Sequence, residues 1–298
     1  MENVNRLKKS FEEGCLSSAA IEAIKRDCIQ KAAEELEYHI ARLQSDLSQL
    51  QDFLGSLQYL VKHNNGCVSD LFDQGLLDLI KVVFEQVLGR IVRDGPSETL
   101  LSTIELCTET ANVLADANSK AKANVVLELC PNFLDLLQVP MLGFQTRLEV
   151  LKSTNILLEQ CPTGVKEMLL KNSDNGEKIS DLVDLVKTVG DYEFQVGIIE
   201  CLMRLFPRKS RPQFASKFFS DKDMLEQFLA IKDKDFETDC RLFLNSINAK
   251  SEDPSKGYDS LKKPSDAGYE EFWVDFNIGS ERLTLFCEQD SLYSQNLG

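Results

Sequence analysis

The chain has 298 residues, 43% of them hydrophobic and 27% charged, with 33 basic and 48 acidic side chains for a formal net charge of −15. That length and apolar content suffice for a sizeable core, while the acidic excess repels phosphate backbones and favours basic partners, arguing against wholesale nucleic-acid binding. No apolar run approaches the length of a bilayer span, the start is polar, and no Asn-x-Ser/Thr acceptor occurs, so an intracellular chain is expected.

From Ser17 to His63 there is one glycine and no proline. Ile21, Ile24, Cys28, Leu36, Ile40, Leu43, Leu47, Leu50, Leu54 and Leu57 recur at steps that read as helix. The alternating four-three spacing from Leu43 to Leu57 suits a short coiled coil, or two helices packed in a larger array, since the seam spans barely two heptads.

Beyond Asn64-Asn65-Gly66 a repeat signal begins. Leu77-Asp78-Leu79-Ile80-Lys81, Leu134-Asp135-Leu136-Leu137-Gln138 and Val183-Asp184-Leu185-Val186-Lys187 share one pattern, each expected on a short helix followed by a break and a longer helix. The breaks are predicted at Asp94-Gly95-Pro96, at Pro140 to Gly143 and at Gly190-Asp191. Further on, two stretches align at an offset of 42 residues: Asp191, Phe194 and Leu202 on Asp233, Phe236 and Leu244. A period near forty, with amphipathic helices in each unit, predicts an all-α armadillo- or HEAT-like solenoid over residues 1–248. Phe194, Leu202, Phe236 and Leu244 are its expected structural anchors, with both rings packed between units.

One segment runs against the global charge. Arg204, Arg208, Lys209 and Arg211 fall within eight residues that hold no acid and are bracketed by prolines at one side and within the run. The segment reads as an exposed loop, either a solubilising connector or a contact for an anionic partner such as an acidic protein tail; any affinity for DNA would be weak and salt-sensitive. Residues 249–268 read as a linker, and 269–298 as the incomplete start of a β domain. There Phe272, Val274 and Phe276 alternate, Asn277 to Ser280 turn the chain, and Leu283, Leu285 and Cys287 alternate again, predicting a hairpin without enough strands for a sheet.

Nine cysteines occur without a Cys-x-x-Cys pair, so they are expected to be small buried thiols. The two histidines, His39 and His63, lie in no metal-spaced cluster, and the phosphate-cradling and nucleophile-elbow glycine motifs are absent. No catalytic, cofactor or metal residue is assigned, and an enzyme is not expected.

Three strings carry a family resemblance: Val189 to Glu200, Ile231 to Asn245, and Phe272 to Ser280. They resemble the N-terminal region of the synaptonemal complex protein 2 family, in the same order. The resemblance implies an armadillo-like domain followed by a pleckstrin-like domain, here cut off after its first strands. It also implies a non-enzymatic role in the axial and lateral elements of meiotic chromosomes, in the nucleus, with axis or centromere proteins as partners. A generic armadillo adaptor unrelated to meiosis is the competing expectation.

Overall fold

The computed structural model describes residues 47–63 and 65–249, together with the backbone of three strands between 273 and 296. Expectations for the helix before Leu47, for Cys15, Cys28, His39 and Cys287, and for the linker beyond Ala249 lie outside the described residues. The chain divides into two compact units, Met1–Leu169 and Leu170–Gly298.

The described part of the first unit holds α1 (Ser48–His63), α2 (Val68–Asp73), α3 (Leu76–Asp94), α4 (Glu98–Ala115), α5 (Ser119–Leu137), α6 (Gly143–Leu158) and the start of α7 (Thr163–Lys171). Local chemistry sets the ends. Ser97 and Asn118 accept from the N–H groups of Leu100 and Ala121, satisfying donors that α4 and α5 would otherwise leave orphaned. Gly95 ends α3 at φ 91°, a conformation that side chains with a Cβ rarely adopt.

Helices pack beside partners two or three elements away as well as against their chain neighbours. α1, α4 and α6 lie side by side as one layer, and α3 packs beside α5 as a second. The second layer is centred on Phe84 against Phe133, edge to face with ring centroids 5.4 Å apart, and an ion pair joins Lys81 of α3 to Glu128 of α5. The first layer carries polar bonds in its seam. Gln51 donates to Ser102 and Thr103 at 2.9 and 3.2 Å, Gln58 to Thr110 at 3.0 Å, and Thr146 to Glu105 at 3.1 Å. Leu47, Leu50, Leu54 and Leu57 are all buried, and their helix packs on α4, so this part of the leucine seam serves internal packing.

In the second unit, α8 (Gly176–Thr188), α9 (Tyr192–Leu205), α10 (Arg211–Phe218), α11 (Lys222–Ala230) and α12 (Phe236–Ala249) repeat the scheme. α9 lies beside α12, and α8 beside α10. A cluster of rings closes the far end of the helices: Phe228 meets Phe206, Phe219 and Phe243 at centroid distances of 6.1, 4.8 and 6.4 Å. Between α9 and α12, Gln195 donates to Asn248 Oδ1 and to the Val186 carbonyl, both at 2.8 Å, and Asn248 donates back to Gln195 Oε1 at 3.0 Å. Both amides are buried, so these bonds replace the water each has lost.

The three breaks fall where the sequence places them. The Asp-Leu pattern marks α3, α5 and α8, all outside the α1–α4–α6 and α9–α12 layers, but its position differs from the expectation. It opens α3, whereas it closes α5 and α8, and α3 and α5 are 19-residue helices rather than short ones. The pattern reports burial against a neighbouring layer, which any turn of such a helix can supply.

Strands β1 (Trp273–Asn277), β2 (Arg282–Phe286) and β3 (Leu292–Asn296) form an antiparallel sheet in that order, with Trp273 opposite Phe286 and Leu283 opposite Gln295. The sequence reading, two strands and no sheet, is corrected by the third. Leu-Tyr-Ser-Gln-Asn carries too little apolar alternation to declare itself, and it is recruited by pairing with β2.

The buried amide pair supplies a stability test. Gln195→Leu strands Asn248 and the Val186 carbonyl, at a cost of about 1–3 kcal/mol for each unsatisfied group. Urea unfolding is expected to show the single variant well below the parent. The double variant with Asn248→Leu is expected to cost less than the two single losses added, because one interaction is removed twice.

Candidate interaction surface

Asp191 is fully buried and caps α9, its Oδ1 accepting from the Phe194 N–H at 2.9 Å. Phe194 and Leu202 are wholly buried, as is Leu244 on α12. The helix bodies therefore keep the 42-residue offset. Their starts do not. Phe236 is the first residue of α12 and only half-buried, while Asp233 lies in a 3-10 turn, Asp233–Asp235, and caps nothing in the manner of Asp191. Phe194 is thus a buried ring, whereas Phe236 is only half-buried, because its helix begins two residues later in the repeat than the helix of Phe194.

Asp233 has a different task. Its carboxylate meets Arg211 Nη1 at 3.0 Å and Arg208 Nε at 3.4 Å. Arg211, the first residue of α10, also donates from Nη2 to the Met203 carbonyl at 3.1 Å, satisfying one of the last acceptors of α9. Its side chain is 12% exposed. Arg204 donates to Glu200 one turn back on α9 at 2.7 Å. The four cations are thus brought to one end of α9, but Arg204 and Arg211 are bound inward, and only Arg208 and Lys209 stand exposed. Nor is the segment an open loop: Phe206 and Pro207 are buried, and a single turn from Pro207 to Ser210 leads into α10. The sequence missed Asp233 as the counter-charge because it is 22 residues from Arg211 and had been paired with Asp191.

A second surface was not anticipated. A groove of about 540 Å3 lies between α4 and α6, lined among others by Glu105, Glu109, Asn112 and Glu149. Glu149 is paired with Lys152 at 3.1 Å, and Glu105 accepts from Thr146. The signal was diffuse, since the three acids are spread over 45 residues of a generally acidic chain. Among the described residues no group of His, Cys, Asp or Glu could hold a metal ion, and no single helix is long and apolar enough to cross a membrane.

The cysteines that are described, at 67, 107, 130, 161, 201 and 240, are free thiols and buried, as expected from their apolar neighbours. Burial pushes Cys107 and Cys130 up to about 12, Cys130 with a smaller contribution from Cys161. Cys240 also rises to about 12, through burial and then Glu200. Cys161 is raised by burial, with Lys166 and Lys122 opposing. None of these environments activates a nucleophile.

With this geometry in place, comparison with known proteins is decisive. Residues 255–296 match the synaptonemal complex 2 Spt16M-like domain. The chain is 32% identical over 240 residues to human synaptonemal complex protein 2, covering 74% of the chain and 15% of that protein. It is 29% identical over 307 aligned positions to the Xenopus laevis synaptonemal complex protein 2-like protein, covering 91% of the chain and 31% of that protein. A solved structure titled synaptonemal complex protein superimposes with a TM-score of 0.66 at 26% identity, over 92% of this chain and 71% of that one. The chain belongs to the synaptonemal complex protein 2 family. It spans about a sixth to a third of the length of these relatives.

Two measurements check this account. Phe194→Ala is expected to cost about 3–5 kcal/mol of unfolding free energy, and Phe236→Ala less than about half of that, because its ring remains partly in water. The raised thiols give a pH signature. Cys107, Cys130 and Cys240 each hold the proton in the folded chain up to about 12 but would release it near 9.0 when unfolded. Their contribution is therefore full below pH 9.0 and is lost as pH climbs toward 12, so the melting temperature should fall across that window. A flatter fall is expected when Cys107 and Cys130 are both replaced by Ala, each variant measured against its own melting temperature at neutral pH.

Proposed function

We propose that this chain is a non-enzymatic protein-interaction module of the meiotic chromosome axis, acting in the nucleus on synaptonemal axial or lateral elements. Within each compact unit the helices stack in an armadillo-like manner, and residues 255–296 carry the Spt16M-like region. The observation that carries the reading is the similarity to synaptonemal complex proteins along most of the chain, in sequence and in a solved fold. Two features support it. Helices packing beside helices two or three elements away are the construction by which repeat proteins expose long surfaces to other macromolecules. Among the described residues the surface at the α9–α10 turn offers exposed and paired charges, a chemistry that suits contact with a protein of opposite charge.

The partners are proteins of the axis or centromere. The exposed contact is Arg208 with Lys209 on the α9–α10 turn, offered to an acidic segment. Duplex DNA is opposed by the surrounding acidic field.

Staining of spread meiotic chromosomes with an antibody to this chain is expected to follow the axes and to disappear in a null mutant. Signal that never coincides with an axis marker sinks the proposal. For the surface, Arg208→Glu with Lys209→Glu is expected to weaken binding to purified axis proteins and to remove most of its salt dependence, with an unchanged helical spectrum. Equal affinity at low salt would exclude this turn as the contact. Arg211→Glu is expected to behave differently, lowering stability by breaking the Met203 and Asp233 contacts.

A further inference from the structure

Ser210 occupies the position before α10. Ser97, Asn118, Asp191 and Asp221 each use their side chain to cap the helix that follows. Ser210 does not: at φ −112° and ψ 9° its hydroxyl misses the cap, and it makes no side-chain hydrogen bond among the described residues. The side chain is half-buried, but Arg208 and Lys209 before it and Pro212 and Gln213 after it are exposed. A hydroxyl without a structural task thus sits in an accessible turn, one residue from Lys209 and Arg211 and two from Arg208.

The counter-charge in this turn is thin. One carboxylate, Asp233, serves both Arg208 and Arg211. The Arg208 contact, at 3.4 Å with the side chain 82% exposed, is the weaker of the two.

We propose that Ser210 is a phosphorylation site for an arginine-directed serine kinase, and that its phosphate takes Arg208 and Arg211 from Asp233. In the transfer, Ser210 Oγ bonds to the γ-phosphorus of ATP, the bond to the β-phosphate oxygen breaks, ADP leaves, and the hydroxyl proton passes to the kinase's catalytic base. Exposed Arg208 and Lys209 are the features by which the kinase's acidic groove selects this serine. The product carries nearly two negative charges and three acceptor oxygens against one charge and two oxygens on Asp233, so it is the stronger partner for guanidinium groups within two residues. The 3-10 turn Asp233–Asp235 then loses its tie to the α9–α10 connection, and the positive charge of Arg208 and Lys209 is cancelled. The inference does not require the acidic-partner reading, because both of its readouts are taken without a partner.

The test uses the full chain with ATP and a purified arginine-directed serine kinase. Peptide mapping by mass spectrometry is expected to place phosphate on Ser210, to find none there in Ser210→Ala, and to show an initial rate about tenfold lower in Arg208→Ala, as for loss of one charge-assisted contact. Hydrogen exchange of the amides from Lys232 to Asp235 is expected to quicken about tenfold on phosphorylation, the change that accompanies loss of a local restraint of that size. Asp233→Asn in the unmodified chain should reproduce the quickening. Phosphate incorporated equally in Ser210→Ala overturns the site. Phosphate on Ser210 with unchanged exchange at Lys232 to Asp235 overturns the exchange of partners.

Discussion

The structure depends on one constraint: the longer helices bury their apolar faces only when a helix two or three elements away lies alongside. α4 illustrates this. Leu100, Ile104, Cys107, Ala111 and Leu114 are all buried, and the helix is covered by α1 and α6 in its own layer and by α3 and α5 in the other. A single helical pair would leave such surfaces in water, at roughly 25 cal/mol for each Å2 of apolar area exposed. Cooperation between neighbours is therefore built into the composition of the helices.

Apolar burial is non-directional and would tolerate sliding of one helix along another. The polar seam removes that freedom. Gln58 reaches Thr110 and Gln195 reaches Asn248, both across buried interfaces between helices of one layer. Displacing either helix by a turn would leave a desolvated amide without a partner, which costs more than the bond itself contributes. The same kind of seam thus recurs in both units and sets depth and rotation while the leucines and phenylalanines supply the driving force.

The same economy governs the cations. In a chain of net charge −15 a basic segment looks like an advertisement for an anion, yet Arg211 is drawn inward to close the end of α9 and to hold Asp233. What remains outside is a small patch around Arg208 and Lys209, set in a turn whose serine is not used as a cap. A phosphate on that serine would cancel the positive charge of this patch.

The helical class, the breaks at Gly95, Pro140 to Gly143 and Gly190, the burial of the described cysteines, Phe194, Leu202 and Leu244, and the kinship carried by Val189 to Glu200 were legible in the sequence, because each rests on a local period or a contiguous string. The offset of 42 residues was legible too, through the bodies of α9 and α12. Sequence alignment could not reveal that a 3-10 turn precedes Phe236, that β3 completes a sheet, or that Asp233 pairs with Arg208 and Arg211. These are decided between residues far apart in the chain, where the partner that satisfies a charge or a backbone group is whichever one packing brings within reach. The sequence by itself determined which faces must be buried and which family the chain resembles; only the tertiary structure decided which charges were left to face a partner, because pairing energy depends on distance in space and not on distance along the chain.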